Sequence, residues 1–171
     1  MKRTHVIFGG LVLVVVALVA LVASKERLLA RGTPLFLELA PVDPRSLIQG
    51  DYMVLDYAVS REAGIPEGGP VADGRLVIRR DERGVGHYVR SEESQPLAPG
   101  ESWLRYKVRR GRVRLGAESF FFQEGHAEHY ARAKYGELRV AEDGSSVLVG
   151  LRDADLHPLG GGPLSTDPDA P

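Results

Sequence analysis

The densest group of side chains with chemical potential lies in the segment Glu124-Gly125-His126-Ala127-Glu128-His129-Tyr130. His126 and His129 are three positions apart, so on a helix they would share one face and could both reach one ion, with Glu124 adding an oxygen ligand. The spacing misses both zinc-protease patterns, which place one more residue between the histidines. Two histidines on a short charged helix are more often exposed to solvent. We therefore assign no metal ion here and keep these three residues as weak candidates for one.

A serine–lysine hydrolase of the signal-peptidase type is a second chemical possibility. Those enzymes also place Gly-Asp at the start of a strand just after a proline turn, as Gly50-Asp51 follows Pro44 here. Their nucleophilic serine lies shortly before that proline, whereas residues 40–43 contain no nucleophile. Ser46 comes after the proline, where its hydroxyl is expected to bond a backbone group. The sequence therefore predicts no catalytic residues and no enzyme, and any likeness to those barrels would concern the fold alone.

Asp51 has the most suggestive local environment because it directly follows the glycine corner at Gly50. Its carboxylate can accept backbone N–H bonds from the adjoining turn and can pair with Arg45, which is the favoured interpretation. In the alternative, Arg45, Asp51 and Tyr52 form an exposed edge that a partner recognises. Tyr57, like Trp103 and the rings of 120–122, is expected to lie in the core rather than to stack on a ligand. The three consecutive phenylalanines must place a ring on each face of a strand.

The segment Gly50-Asp51-Tyr52-Met53-Val54-Leu55-Asp56-Tyr57 fills every fixed position of the pattern that names the functionally uncharacterised GDYXXLXY family of bacterial membrane-anchored proteins. A second block, Phe121 to Gly125 through Ala131-Arg132, Tyr135 to Val140 and Leu148 to Leu151, is also similar to that family, so the resemblance covers most of residues 6–159. It implies one amino-terminal membrane segment and frequent occurrence alongside multi-spanning membrane proteins, and it brings no catalytic residues. The candidate partner-contact residues are Arg45, Gly50, Asp51, Tyr52, Leu55 and Tyr57.

The composition limits the classes of partner. The formal charge of the 171 residues is −1, which gives no reason to expect binding to nucleic acid. The chain has no cysteine, which excludes disulfides and thiolate metal sites, and nothing in the sequence points to a cofactor.

One basic run would place several charges on one face of a strand. It consists of Arg105, Lys107, Arg109, Arg110, Arg112 and Arg114. A solvated sheet face is the favoured interpretation, and a site for an anionic headgroup or acidic partner is the alternative.

The amino-terminal stretch Val6 to Ala23 has 18 residues without a charge. At about 1.5 Å per residue it covers roughly 27 Å, close to the thickness of a bilayer core. An uncleaved anchor is favoured over a cleaved signal, whose apolar stretch is usually about 7–15 residues, and over a buried helix. The chain is thus expected to sit in the cytoplasmic (inner) membrane as a single-pass protein. Because a short leading tail usually stays inside, the soluble domain is expected to be extracytoplasmic.

Beyond the anchor the sequence predicts an all-β meander. Alternating apolar and polar residues punctuated by Asp-Gly and Arg-Gly corners indicate successive hairpins, with Tyr52 to Val59 as one strand and Gly125 to Lys134 as the one short helix. The fold class is therefore mainly β: a transmembrane helix followed by a compact, mostly antiparallel β domain. The predicted divisions are a tail at 1–5, the anchor at 6–23, the soluble domain at 24–157 and a Gly- and Pro-rich disordered tail at 158–171.

These observations favour a membrane-anchored accessory or interaction module beside a multi-spanning membrane protein. Its expected partners are the bilayer, through residues 6–23, and an integral membrane protein. The alternative from another class is a small-molecule or metal-binding domain that uses the 124–130 segment, and a relic of a signal-peptidase-like hydrolase comes third.

Overall fold

The computed structural model describes residues 3–40, 48–49, 52–65, 72–92, 95–109, 112–116, 119–121 and 130–160. Within these ranges the chain is mainly β, as the sequence predicts, with one long amino-terminal helix and one short helix beyond it. The elements are α1 (Arg3–Arg31), β1 (Thr33–Glu38), β2 (Ile48–Gln49), β3 (Tyr52–Val54), α2 (Ala58–Glu62), β4 (Ala72–Arg80), β5 (Gly86–Ser91), β6 (Glu101–Arg109), β7 (Arg112–Arg114), β8 (Ser119–Phe121), β9 (Tyr135–Val140), β10 (Ser146–Arg152) and β11 (Pro158–Leu159).

The first sheet has the strand order β1-β9-β10-β11, and each of its pairs is antiparallel. β9 and β10 form the hairpin predicted from the Asp143-Gly144 turn, in which Gly144 has a φ of 85° that glycine adopts without strain. The register shifts between Leu148 and Gly150, which marks a β-bulge. β1 lies on the other side of β9, so the strand that leaves α1 is fixed by one from the far end of the chain.

A second large sheet has the order β5-β4-β6-β7, and the small sheet β2-β3-β8 carries the start of the GDYXXLXY signature. In β4 the alternation predicted from the sequence holds only in part. Leu76 and Ile78 are fully buried and Arg79 is exposed, but Val77, which lies between the two inward-facing residues, is fully buried as well. The two large sheets meet through backbone bonds from Phe36 N to Gly84 O (3.0 Å) and from Arg105 N to Gly144 O (2.8 Å). Apolar side chains from all three sheets then share one core.

By length and composition, α1 is the one helix among the described residues that is able to cross a membrane. The candidate span is Ile7–Arg31, and its most apolar window is not buried against the rest of the protein. Leu11, Leu13 and Leu18 illustrate this, because each leaves more than half of its surface exposed. The sequence also predicts that a short helical segment continues from Lys25 to Arg31, and α1 does run without a break from the apolar stretch to Arg31.

The prediction of one strand from Tyr52 to Val59 is wrong. The strand ends at Val54, and Ala58–Glu62 forms α2, the short helix of the described domain. Alternating burial along the signature resembles that of a strand, but Val59 and the adjacent Ser60 are both buried, which suits one face of a helix packed on the core. The sequence also predicts one short helical turn over Ser46 to Ile48, ended by Gly50, but Ile48 belongs to β2. Most of the predicted helix Gly125–Lys134 lies outside the described residues.

The predicted disordered tail begins too early. Pro158 and Leu159 form β11 against β10, and Leu159 is only 4% exposed. The apolar side chain of Leu159 therefore extends the ordered domain beyond the predicted boundary at 157, while residues 161–171 lie outside the described part.

Glu38 of β1 is expected from its strand pattern to lie on the solvent side. It is partly exposed, and its carboxylate pairs with Lys134 (2.8 Å).

Candidate functional site

The second half of the signature fills the core rather than the surface. Leu55 and Tyr57 are 5% and 2% exposed, so their burial does not fit a direct contact with a partner. Tyr52 pairs through its backbone with Gln49 and Phe121, at the centre of the small sheet. Arg45, Gly50 and Asp51, the other candidate contact residues, lie outside the described residues.

Tyr57 carries a polar atom into the core. Its hydroxyl is fully buried and has no hydrogen-bond donor or acceptor among the residues that the structure describes. Burial raises the pKa of Tyr57 well above its ordinary value, because the charged phenolate would lose its hydration. The ring packs close to Gly136 of β9, where an added Cβ would lie 3.0 Å from the Tyr57 Cε1. The last residue of the signature therefore joins the small sheet to the first sheet.

Hydrogen bonds join the last two residues of the signature, Asp56 and Tyr57, to the helix α2 that follows them. The Ser60 hydroxyl donates to the Tyr57 carbonyl oxygen (2.7 Å), and Arg61 donates to the Asp56 carboxylate from Nε (3.1 Å) and Nη2 (2.5 Å). The Ala40 amide donates to the Asp56 carbonyl (2.8 Å). Because the Ser60 hydroxyl is engaged with backbone, this arrangement suits a structural corner rather than an activated nucleophile.

A groove of about 360 Å³ opens at the end of the domain where α1 joins β1. We call it the junction groove. It is lined by Thr33, Leu35, Arg80, Leu97, Gly100, Glu101, Ser102, Trp103, Val140, Ala141 and Glu142. Its walls come from β1, from the end of β9 and from the loop that leads into β6, so residues far apart in sequence build it. No local pattern predicts this groove.

The Glu101 side chain, 2% exposed, organises the β6 wall of the groove. It accepts hydrogen bonds from the Ala98 amide (3.0 Å), Arg90 (2.9 Å) and Arg79 (3.1 Å). The Ala98 N–H bond and the two arginines hold the pKa of Glu101 below its ordinary value. Its charge is thus neutralised within the wall. Arg79 is itself largely exposed, so its link to Glu101 is the weaker of the two.

The junction between α1 and β1 fixes the position of the groove relative to the helix. Leu28, in the last turns of α1, is 8% exposed, and the Gly32 amide donates to its carbonyl oxygen (2.8 Å). Arg139 of β9 donates from Nη1 to the Gly32 carbonyl (3.4 Å). Gly32 is the only residue between α1 and β1, so helix and domain are joined without a flexible linker.

Gly32→Ala is expected to lower the free energy of unfolding of the full-length protein in detergent by more than about 1 kcal/mol. A Cβ at this position would collide with the Leu28 carbonyl oxygen and lie 3.0 Å from the Arg139 Cβ. Gly150→Ala is the matched control, because nothing lies within 4 Å of a Cβ there. Thermal unfolding of both variants measures the difference, and equal stability would show that the junction is not closely packed.

The predicted metal candidates Glu124, His126 and His129 lie outside the described residues. The described part instead brings Asp153, Asp155 and His157 together, with one potential ligand atom from each lying within 4.8 Å of the other two. Asp153 Oδ1 already accepts the amides of Asp155 (3.0 Å) and His157 (2.9 Å). These bonds account for the cluster as a side-chain-stabilised turn, the pattern expected of Asp at such positions. The sequence signal, Asp-x-Asp-x-His, is too short to separate the two uses.

The described part of the basic run forms an exposed sheet face with acidic neighbours. Arg109 Nη1 lies 2.7 Å from Asp73 Oδ1, and Arg105 Nη1 lies 3.5 Å from Asp143 Oδ2. The hydrogen bond from Arg109 holds the pKa of Asp73 below its ordinary value. Arg110 lies outside the described residues. The acidic neighbours favour the interpretation of a solvated sheet face.

The phenylalanine block divides as its position on a strand requires. The Phe120 ring packs edge-on to Tyr130, with 5.1 Å between ring centroids, whereas Phe121 is 75% exposed on the other face of β8. One ring on each face was predicted, and this is confirmed for these two residues; Phe122 lies outside the described part. The expectation that the rings of this block lie in the core is therefore wrong for Phe121, because alternate residues of a strand face opposite sides. Phe121 adds exposed apolar area that is separate from the residues lining the groove.

Comparison with known proteins identifies the chain at the level of its family. No curated protein and no solved structure matches it. The family model described as GDYXXLXY protein matches residues 14–151, from within α1 to the penultimate residue of β10. That range includes the signature corner, the α1–β1 junction and every residue that lines the junction groove. The chain therefore belongs to the GDYXXLXY family.

Proposed function

We propose that this protein is a single-pass accessory module of the cytoplasmic membrane, whose extracytoplasmic β domain binds a multi-spanning membrane protein. The observation that carries the proposal is the α1–β1 junction. The exposed apolar helix α1 is connected to the β domain by Gly32 alone. Burial of Leu28 and the hydrogen bond from Arg139 to the Gly32 carbonyl fix the two parts against each other. A domain mounted in this way meets a neighbour in the same membrane at high effective concentration and in one orientation.

The described surface supports binding over catalysis as the role of this domain. The buried Ser60 hydroxyl beside the signature is engaged with the backbone, and the charge of the Glu101 carboxylate is compensated by its own neighbours. An open groove and an exposed phenylalanine, Phe121, offer apolar surface to another macromolecule. The proposal assigns no reaction and no cofactor to the protein.

The full-length protein, purified in mild detergent from its native membranes, is expected to carry one integral membrane protein in a stoichiometric ratio. Mass spectrometry identifies that protein. The matched control is a chain that ends after Arg31 and keeps only the anchor. It should recover no partner, because the β domain makes the contact. Recovery of the full-length protein alone would overturn the proposal, as would equal recovery by the anchor.

The side of the membrane can be tested with a single cysteine, because the natural chain has none. Arg112 is exposed on β7, so Arg112→Cys leaves the core unchanged. A membrane-impermeant maleimide should label this variant in intact cells, as the extracytoplasmic orientation requires. Labelling only after the membrane is opened would place the domain in the cytoplasm.

A further inference from the structure

We propose that the junction groove binds the first extramembrane residues of a neighbouring transmembrane segment. That segment belongs to the membrane protein of the proposed function, on which this inference rests. One apolar side chain of the segment would fill the floor of the groove, and charged residues beside it would meet Arg80 and Glu142 at the rim. The distance of the groove from the bilayer, its open shape and the chemistry of its lining each support this assignment.

The distance of the groove from the bilayer core follows from the length of α1. The apolar stretch from Val6 to Ala23 matches the bilayer core, and the helix then continues from Ser24 to Arg31. Those eight residues rise about 12 Å, whereas one headgroup layer is only about 5–8 Å thick. Thr33 and the groove therefore lie just outside the headgroups. A chain that leaves the bilayer beside α1 passes at this level.

The same distance from the bilayer argues against a lipid acyl chain as the occupant, because acyl chains remain in the core about 12 Å below.

The openness of the groove argues against a small molecule. A volume of about 360 Å³ is near the lower end of small-ligand pockets, but such pockets enclose most of their ligand. An open groove instead suits a segment of polypeptide that inserts one side chain.

The floor and rim of the groove differ in chemistry. Leu35 and Val140 are buried in the floor, and Leu97 is 36% exposed beside them. The indole of Trp103, which completes the apolar lining, is held by the Arg75 guanidinium at 4.7 Å from its ring centroid. A tryptophan fixed beside partly exposed aliphatic side chains is typical of the central contacts of protein interfaces.

The rim carries one charge of each sign. Arg80 is exposed and donates one hydrogen bond, from Nη1 to the Pro34 carbonyl (3.2 Å), which leaves other donors of the guanidinium toward solvent. Glu142 is exposed and has no ion-pair partner within the described ranges. An occupant with an acidic and a basic residue flanking an apolar one would complement this rim, and such pairs improve orientation more than affinity.

Photocrosslinking from Leu97 in the full-length protein, within its native membranes, tests the inference. Leu97 lies on an exposed loop, so a photoreactive benzoylphenylalanine there leaves the core intact. The expected adduct joins it to an integral membrane protein within about eight residues of the end of an apolar span, since eight helical residues rise about 12 Å. Peptide mapping of the adduct locates that position.

Two further positions serve as matched controls for the crosslink. Lys107 lies exposed on the basic face, and Phe121 is the rival apolar surface. Neither should give the adduct seen from Leu97. An insert of about six Gly/Ser residues between Gly32 and Thr33 should lower the Leu97 adduct at least about tenfold, because it uncouples the groove from the height of α1.

Several results would overturn the inference: an adduct with a second copy of this chain, an adduct with lipid alone, an equal adduct from Phe121, or no adduct.

Leu97→Asp offers an independent measurement, because burying an unpaired carboxylate should reduce co-purification of the partner at least about tenfold. Lys107→Asp, also exposed, should leave it unchanged. If no membrane protein co-purifies with the unmodified chain, the proposed function fails. If one does but crosslinks elsewhere, only the groove assignment fails.

Discussion

Tyr57→Ala is expected to lower the free energy of unfolding of the full-length protein in detergent by about 3–5 kcal/mol, the range for removing a large buried ring. Tyr57 is 2% exposed and packs against Gly136 of β9, so its removal leaves a cavity where the small sheet meets the first sheet. The neighbouring backbone is held by the Ser60–Tyr57 bond and cannot collapse freely into that space. Chemical denaturation followed by circular dichroism measures the loss.

Tyr57→Phe is the control that separates the ring from its hydroxyl. Within the described ranges the buried hydroxyl has no hydrogen-bond partner, which costs about 1–3 kcal/mol of desolvation, so its removal should leave stability unchanged or raise it. A clear loss of stability in Tyr57→Phe would mean that the hydroxyl bonds an internal water. Unchanged stability with loss of the membrane partner would instead show that the signature tyrosine acts in binding.

The natural protein and Tyr57→Phe should also differ in how their stability changes in alkaline solution. Burial raises the pKa of Tyr57 in the folded state, so above an unfolded value of about 10 the unfolded chain releases the proton while the folded chain retains it. Stability from this group is therefore present below about pH 10 and decreases as the pH rises above it. Tyr57→Phe should show a shallower decrease than the natural protein over that interval.

The elements that the sequence predicts well are those whose patterns are local. The charge-free run of α1 and the Asp-Gly turn between β9 and β10 contain their own signals, and the structure has both. Alternation in β4 also predicts that Leu76 and Ile78 face the core, although it does not predict that Val77 on the opposite face is fully buried as well. In each case neighbouring residues decide the conformation without help from the rest of the chain.

The features that the sequence does not predict depend on distant contacts. α2 has five residues, too few to form a helix alone, and it is held by the Arg61–Asp56 pair and by burial of Val59. Leu159 lies at the start of a Pro- and Gly-rich segment, yet it is buried because β11 pairs with the edge of β10. The junction groove combines Thr33, Leu97 and Glu142, whose proximity follows only from the sheet order.

The ion pair between Glu137 and Arg152 has the second large expected effect. Glu137 is 6% exposed on β9 and accepts hydrogen bonds from Arg152 Nε (2.8 Å) and Nη2 (2.5 Å) on the neighbouring strand. Arg152 also donates to the Leu156 carbonyl (3.3 Å), and its guanidinium lies 5.8 Å from the Phe36 ring centroid. The pair therefore joins β1, β9, β10 and the loop before β11.

Arg152→Met is expected to lower the free energy of unfolding by about 3 kcal/mol, the lower end of the range for leaving one member of a buried pair uncompensated. The lower end applies because the Arg152 side chain keeps 23% of its surface exposed. The charge of Glu137 would remain in the sheet without its donors. Denaturant unfolding of the full-length protein measures the loss.

The double variant Glu137→Leu with Arg152→Met distinguishes the charge from the packing. If the loss in Arg152→Met comes from the uncompensated carboxylate, removing that carboxylate as well should restore most of the stability, because an apolar pair of similar volume replaces the ionic one. If the double variant is as unstable as the single one, the contacts of Arg152 with Leu156 and Phe36 carry the effect.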